Sequence, residues 1–349
     1  MYRISFINSI RGWGGAEVWF LETARALHDH GCEVDIVAQP GSALLDRARE
    51  AGLPTTAIPI RFDGAPWTVF KLYRHFKRRG TRALLANLTK DLKAASVAAR
   101  LAGVPIVLGT RESDFPLKDK SYYRWYFSRL TTGLLVNSQA TRKTVLASAP
   151  WLDPDRVHLL PKGIDTERFR PRGSSPSPVV GFAGQLIPRK GIDALMGAWS
   201  RIDAAGRPDA PRLILAGEGP LRPELESWRA GLKHPDRVDL VGLVEDMPGF
   251  YRKLSHFVLP SRVEGFGLVA AEAAACGLPV VATDTSSLPE IVVDGQTGRL
   301  VPVDDTASLA GALTDLLDDP EASRRLGAAG RDRVVRLYNR NETLGRLRG

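Results

Sequence analysis

Glu264 and Glu272 stand eight positions apart inside Pro260–Asp284, PSRVEGFGLVAAEAAACGLPVVATD, and this spacing is the strongest chemical signal in the 349-residue chain. An apolar strand, FVLP, enters the stretch, Gly265-Phe266-Gly267 forms a glycine-rich turn, and an alanine-rich helix leaves from Leu268. Backbone N–H groups at such a helix start lack partners within the helix and make an anion site. Glu264 falls beside that site. Glu272, about two turns into the helix, offers two acceptor oxygens to a ribose diol. The layout fits a nucleoside diphosphate carrying a further group at its far end.

A second glycine-rich turn, GQLIPRKG from Gly184 to Gly191, contains Gln185 and sets Arg189 and Lys190 just before a helix. Cations there oppose the helix dipole and suit a bound diphosphate. Two further loops also follow strands: GEGP at 217–220, with Glu218, and VGLVEDM, with Leu243 and Asp246. All four loops should converge on one sheet edge. In the first half, GWGGAE from Gly12 to Glu17 lies between the first strand and the first helix, and its glycines allow close approach to the backbone. GxGxxG is not matched, and no acid follows the second strand at the ribose position, so a dinucleotide cofactor is disfavoured.

The elements that must position these loops alternate along the chain. ISFINS, a helix over about Ala16 to His30, EVDIVAQ and a helix near Ser42 to Ala51 are followed by ALLAN, PIVLGT and GLLVNS, each with a helix after it. The pattern restarts with VVGFAG, LILAG, VDLVG, HFVLPS and PVVATD. Near-continuous apolar strands separated by helices predict an α/β protein with two doubly wound, Rossmann-like parallel sheets. The Pro/Ser-rich PRGSSPSP predicts a linker at 171–178 between a first domain, 1–170, and a second, 179–330. A last helix, 331–349, should cross back to the first domain. The active site is expected between the domains, at the carboxyl ends of the strands.

Composition bounds the partners. Hydrophobic residues are 44% and charged residues 25%, which excludes disorder and collagen-like classes. The net charge of +9 admits nucleic acid, an anionic membrane surface or a phosphorylated substrate. Up to Pro178, 27 Lys and Arg stand against 16 Asp and Glu; after it, 21 stand against 23, so the halves carry +11 and −2. Cys32 and Cys276 form no metal or disulfide pattern, and no signal peptide or membrane span is read, so a cytoplasmic location is expected. Without a recognition module, nucleic acid is disfavoured.

Glu264 and Glu272 within EGFGLVAAEAAACGLPVVATD, the GEGP turn, the basic turn ending Arg189-Lys190-Gly191, KGID at 162–165 and the N-terminal GGAE make the chain similar to the retaining GT-B glycosyltransferases of family 4. The resemblance spans nearly the whole chain, most specifically in its second half. In the first half it rests on the GlyGly turn, ARLAGVP at 99–105 and Asn137-Ser138. It implies a GT-B fold, two domains facing across a cleft, and transfer of a sugar from a nucleoside diphosphate sugar to an acceptor hydroxyl. It further implies that Glu272 holds the ribose and Glu264 contacts the donor sugar. Amides around Gly265, Phe266, Gly267 and Leu268 would meet diphosphate or sugar, with Arg189 and Lys190 neutralising the diphosphate. Glu218 and Leu243 would lie on the donor side, Leu243 against the base. Gly14 and Gly15 would face the acceptor and the diphosphate. No cofactor or metal is implied, because cations and helix dipoles replace Mg²⁺.

Three departures from the family pattern shape the expectation. Gln185 stands where many members have Arg, with Arg189 as its substitute. Lys162 replaces Asn before GlyIleAsp and adds a cation on the acceptor side. Arg111 stands where many members have His, and an arginine cannot act as a base. In a retaining front-face reaction the departing phosphate oxygen takes the acceptor proton, with Glu112 or Asp114 in reserve as base. The segment 115–126, with Lys118, mixes cations and aromatics and would meet an anionic acceptor such as a lipid-linked or phosphorylated envelope glycan of lipopolysaccharide-core type. Residues 71–82 set Leu72, Tyr73 and Phe76 among cations and suit peripheral docking on an anionic membrane at its inner face. An epimerase or hydrolase using the same donor site, or a non-catalytic nucleotide-sugar binder, are the alternatives.

Overall fold

The computed structural model describes residues 2–348 except 61–64, 88, 172–177 and 207–210. They fall into two compact units, Met1–Pro161 with Leu344–Gly349, and Lys162–Thr343.

Unit 1 runs β1 (Arg3–Asn8), α1 (Gly15–Asp29), β2 (Glu33–Ala38), α2 (Ala43–Glu50), β3 (Thr55–Ala57), α3 (Pro66–Arg79), β4 (Ala83–Ala86), α4 (Thr89–Ala102), β5 (Ile106–Arg111), α5 (Ser121–Trp125), a π-helical turn (Tyr126–Leu130), β6 (Gly133–Val136), α6 (Gln139–Ser148) and β7 (Val157–Leu159). The strands pair in parallel in the order β3-β2-β1-β4-β5-β6-β7. Runs such as ALLA in β4 and GLLV in β6 are buried throughout, as a sheet covered on both faces requires. The chain moves outward from β1 to β3, then returns to lay β4 on the other side of β1. Strand order therefore reverses between β1 and β4.

Unit 2 repeats the plan with β8 (Val179–Ala183), α7 (Ile192–Ala204), β9 (Arg212–Ala216), α8 (Arg222–Ala230), β10 (Val238–Gly242), α9 (Met247–Tyr251), β11 (His256–Leu259), α10 (Leu268–Ala275), β12 (Val280–Thr283), α11 (Leu288–Ile291), β13 (Gly298–Val301), α12 (Thr306–Asp318) and α13 (Pro320–Leu337). Its order is β10-β9-β8-β11-β12-β13, reversing between β8 and β11. Trp199, Tyr251, Phe182 and Phe257 fill its core. α10 is alanine-rich all round, and a helix apolar on every side belongs inside: Ala270 to Ala275 are all buried.

At the start of β11 a buried histidine makes unit 2 acid-sensitive. His256 is 6% exposed, its Nε2 lies 3.1 Å from Ser323 Oγ, and burial pulls its pKa down to about 4. The folded value lies below the unfolded one, near 6.5. Between those pH values the unfolded chain binds the extra proton, so the neutral histidine's contribution is complete above pH ~6.5 and is lost as pH falls toward 4. About 3 kcal/mol of stability should disappear over that window. Denaturant melts of the wild type and His256→Gln across it should show a steeper acid loss for the wild type; parallel curves would refute the assignment.

Several boundaries differ from those read in the sequence. The units divide between Pro161 and Lys162, ahead of the linker expected at 171–178, most of which lies outside the described residues. The expected last helix is two: α13, capped by Asp319, stays in unit 2 to Leu337, and after Tyr338 and Asn339 a further helix, α14 (Arg340–Arg348), carries the chain into unit 1. The short strands β3 and β7 carry no periodicity long enough to announce them. Among the described residues no helix is long and apolar enough to cross a membrane.

Candidate functional site

The reversal in unit 2 explains which loops meet. The loop after β8 holds Gly184–Gly191, and the loop after β11 holds Pro260–Gly267, so neighbouring strands deliver the basic turn and the first glutamate side by side. Lys190 Nζ donates to Glu264 Oε1 in a close ion pair whose side chains are only 12% and 9% exposed. Ser261 Oγ donates to the same carboxylate oxygen at 2.7 Å. An ammonium has three donors, so the contact with Glu264 leaves Lys190 others to direct at a ligand.

Gly191 makes the packing of these loops possible. It sits at φ +65°, and a Cβ there would lie 1.9 Å from the Pro260 carbonyl oxygen, so no other residue fits without moving backbone. Arg262 then fastens the two loops. Its backbone N–H donates to Arg189 O at 2.9 Å and its guanidinium reaches Pro188 O, Asp193 on α7 and Asp304, the last at 2.8 Å. The hydrogen bonds that Arg262 donates to Asp193 and then to Asp304 raise its pKa further. Burial pushes the Asp193 carboxyl up, but Arg262 and the N–H groups of Asp193 and Ala194 together bring it below its usual value.

α10 begins on Gly267, at φ +84° and with no side-chain cap, whereas α2, α6, α12 and α13 start on the capping side chains of Ser42, Ser138, Asp305 and Asp319. Its first turn, opening at Leu268, therefore has backbone N–H groups that no side-chain cap engages. About one turn on, Glu272 is 7% exposed and accepts from Tyr251 OH at 2.9 Å, a hydroxyl that also reaches Val269 O at 3.2 Å. Burial first, and the Glu272 charge second, raise the Tyr251 pKa well above its ordinary value and keep it a donor. Phe266 is buried edge-on against Tyr338 and supports the turn from behind.

The other expected donor-side residues are more dispersed. Gln185 is exposed and Arg189 half-buried in the basic turn. Glu218 is tied to this turn only through backbone, its carbonyl accepting from Leu186 N at 2.9 Å, while its carboxylate pairs with Arg222 at 2.7 Å. Leu243, at the end of β10, is 71% exposed. Gly15 belongs to unit 1, where it opens α1 behind the extended, uncapped Gly14.

In unit 1 the carboxyl edge of the central strands gathers polar groups without partners. Ser9 after β1, Asn87 after β4 and Asn137 after β6 are each 3% exposed. Ser9 Oγ, Asn87 Nδ2, Asn137 Nδ2, Arg111 Nε and Asp114 Oδ1 are buried and hydrogen-bonded to nothing described. Burying such a group unsatisfied costs about 1–3 kcal/mol, so the edge is set up for water or a polar ligand. Arg111, expected to face the acceptor, donates from its NH2 group to Phe115 O (2.7 Å) and Pro116 O (3.3 Å), pinning the loop after β5. Burial lowers its pKa, against opposing effects of Tyr123 and Asp114. Glu112 is half-buried and Lys118 exposed. Lys162, expected in the first domain, opens unit 2 and is 5% exposed, a correction that follows from the earlier division of the units.

The sequence reading did not find Ser261, Arg262, Tyr251, Ser9, Asn87 or Asn137 in these roles. Ser261 and Arg262 flank Glu264 and were within reach of a local argument. Tyr251 is not: only the fold brings α9 against α10.

Residues 177–319 match the family described as Glycosyl transferases group 1, and residues 13–168 match Glycosyltransferase Family 4. The chain is 32% identical over 324 residues to alpha-maltose-1-phosphate synthase of Mycolicibacterium smegmatis, covering 75% of this chain and 81% of the relative. It is 29% identical to the GDP-mannose-dependent monoacylated alpha-(1-6)-phosphatidylinositol monomannoside mannosyltransferase of Corynebacterium glutamicum, over 88% and 81% of the two. The structure of Anabaena HepE in complex with UDP-glucose superposes with a TM-score of 0.85 at 20% identity, covering 100% of this chain and 98% of that one.

Proposed function

The chain belongs to glycosyltransferase family 4, and from that premise we propose that it moves a sugar from a nucleoside diphosphate sugar to a hydroxyl of a phosphorylated or lipid-linked envelope glycan, with retention at the anomeric carbon. The observation that carries the donor side is the Lys190–Glu264 pair set beside the uncapped start of α10, with Glu272 held by Tyr251 about one turn on. The acceptor reading draws on the two relatives, whose names carry a sugar phosphate and a phosphatidylinositol mannoside.

In this scheme the diphosphate lies against the first turn of α10, and Lys190 and Arg189 offset its charge as the bond from the anomeric carbon to the phosphate oxygen breaks. Glu272 accepts from the ribose hydroxyls and Glu264 from the sugar. The acceptor oxygen bonds to the anomeric carbon from the side the phosphate leaves, and its proton passes to the departing phosphate oxygen. No side chain need act as base, and no metal or cofactor is required. Asn87, Asn137 and Ser9 supply donors for acceptor oxygens, and Asp114 stands as the reserve base. The enzyme works at the cytoplasmic face of the membrane as a peripheral protein.

A thermal-shift panel of nucleoside diphosphate sugars with and without EDTA tests the donor site, because a ligand of the folded state raises Tm by mass action. One donor should raise Tm equally in both conditions, and with a glycolipid acceptor should give a product of unchanged anomeric configuration by NMR. A panel with no shift would overturn the donor site. A shift abolished by EDTA would overturn metal independence, an inverted product would overturn retention, and release of free sugar at full rate without acceptor would make the protein a hydrolase.

A further inference from the structure

α3 presents a face that the core of unit 1 does not use. Thr68, Leu72 and Phe76 are buried, so the Leu72 and Phe76 expected at a membrane surface are core residues. The opposite stripe follows the helical period through Trp67, Phe70, Lys71, Arg74 and Arg78. Trp67 is 67% exposed and Phe70 45%. Their rings stack at 5.9 Å, with Lys71 Nζ 5.6 Å from the Trp67 ring and the Arg74 guanidinium 5.8 Å from the Phe70 ring. α3 contains no acid, and its remaining arginine, Arg79, turns away to Asp35 at 3.2 Å.

Helices of a parallel β/α unit start at the carboxyl edge of the sheet, so Trp67 and Phe70 lie at that edge. α5 starts there too, with Tyr122 40% and Trp125 52% exposed and Lys93 of α4 at 5.0 Å from the Tyr122 ring. α4 packs beside α3 and beside the turn that continues α5. Exposed aromatics among cations, with no acid on α3 itself and Asp119 before α5 paired to Arg124, match the headgroup region of an anionic bilayer, where aromatic rings settle and basic side chains meet phosphate. A second copy of the face would bring like charges together.

We propose that Trp67 and Phe70, with Lys71, Arg74 and Arg78, form the face by which unit 1 docks on a bilayer containing anionic lipid. The inference deepens the reading of a lipid-linked acceptor, whose polar subsite would open on the same sheet edge. Its test uses neither donor nor acceptor, so the two can fail separately.

The full chain is sedimented with vesicles of phosphatidylcholine alone or with added phosphatidylglycerol, at low and high salt. Partition should rise about tenfold with the anionic lipid and fall as salt screens it. Trp67→Ala/Phe70→Ala should lower partition about tenfold on both compositions. Lys71→Glu/Arg74→Glu should remove the dependence on phosphatidylglycerol. Both variants should keep the wild-type Tm, since the four side chains lie outside the core. Equal partition on the two compositions, or wild-type binding by both variants, would overturn the proposal. So would sedimentation velocity showing a wild-type dimer that Trp67→Ala/Phe70→Ala dissociates, because the face would then be a protein interface.

Discussion

Lys190→Ala is expected to lower kcat/KM for sugar transfer on the order of 10²–10³-fold, the usual cost of removing one preorganised charge from a developing anion. The same change should lower folding stability by about 3–5 kcal/mol, because Glu264 is left as a nearly buried carboxylate without its cation. The two losses separate in a double variant. Glu264→Gln on the Lys190→Ala background removes the unpaired charge, keeps an acceptor for Ser261 Oγ, and should recover most of the stability in a urea melt while restoring no transfer. A Lys190→Ala enzyme within threefold of wild type would show that the pair is structural and that another group meets the diphosphate.

Glu272→Ala should act on binding rather than on chemistry. Two hydrogen bonds from a ribose diol to a carboxylate, at about 1.5–3 kcal/mol each, would raise KM for the donor at least tenfold and change kcat little, the pattern of an interaction equal in ground and transition states. A donor bearing 2′-deoxyribose provides the discriminating measurement. Wild type should prefer the ribose form strongly and Glu272→Ala should not distinguish the two. Retained preference in the variant would place the ribose elsewhere. Tyr251→Phe should give a smaller defect in the same direction, because Glu272 keeps its charge and loses only the hydroxyl that orients it.

The grouping of the loops assigned to the proposed donor side was legible because each of its parts is local. A strand, a glycine turn and a helix start are short motifs, and the doubly wound pattern tells which turns share an edge; the reversal at β8 and β11 then makes Lys190 and Glu264 neighbours. What escaped depends on contacts between distant segments: Arg262 with Asp193 and Asp304, or Tyr251 with Glu272. Arg111 was read by motif position, which carries no information about the carbonyls of Phe115 and Pro116 that engage its NH2 group. In α3 the error was one of phase: a window opened at Lys71 omits Trp67 and Phe70, and the stripe holding Leu72 and Phe76 then passes for a surface one.

Unit 2 is one uninterrupted run, Lys162–Thr343, while unit 1 recruits Leu344, 5% exposed in the cluster of Phe6, Phe20 and Leu160, from beyond it. On the ribosome the segment translated second can therefore finish folding first. The segment translated first must wait, its hydrophobic interior lacking one filler, until almost 200 further residues have emerged. A gene cut after Pro161 would encode a fragment missing that filler, so any attempt to study unit 1 alone should graft α14 back onto it.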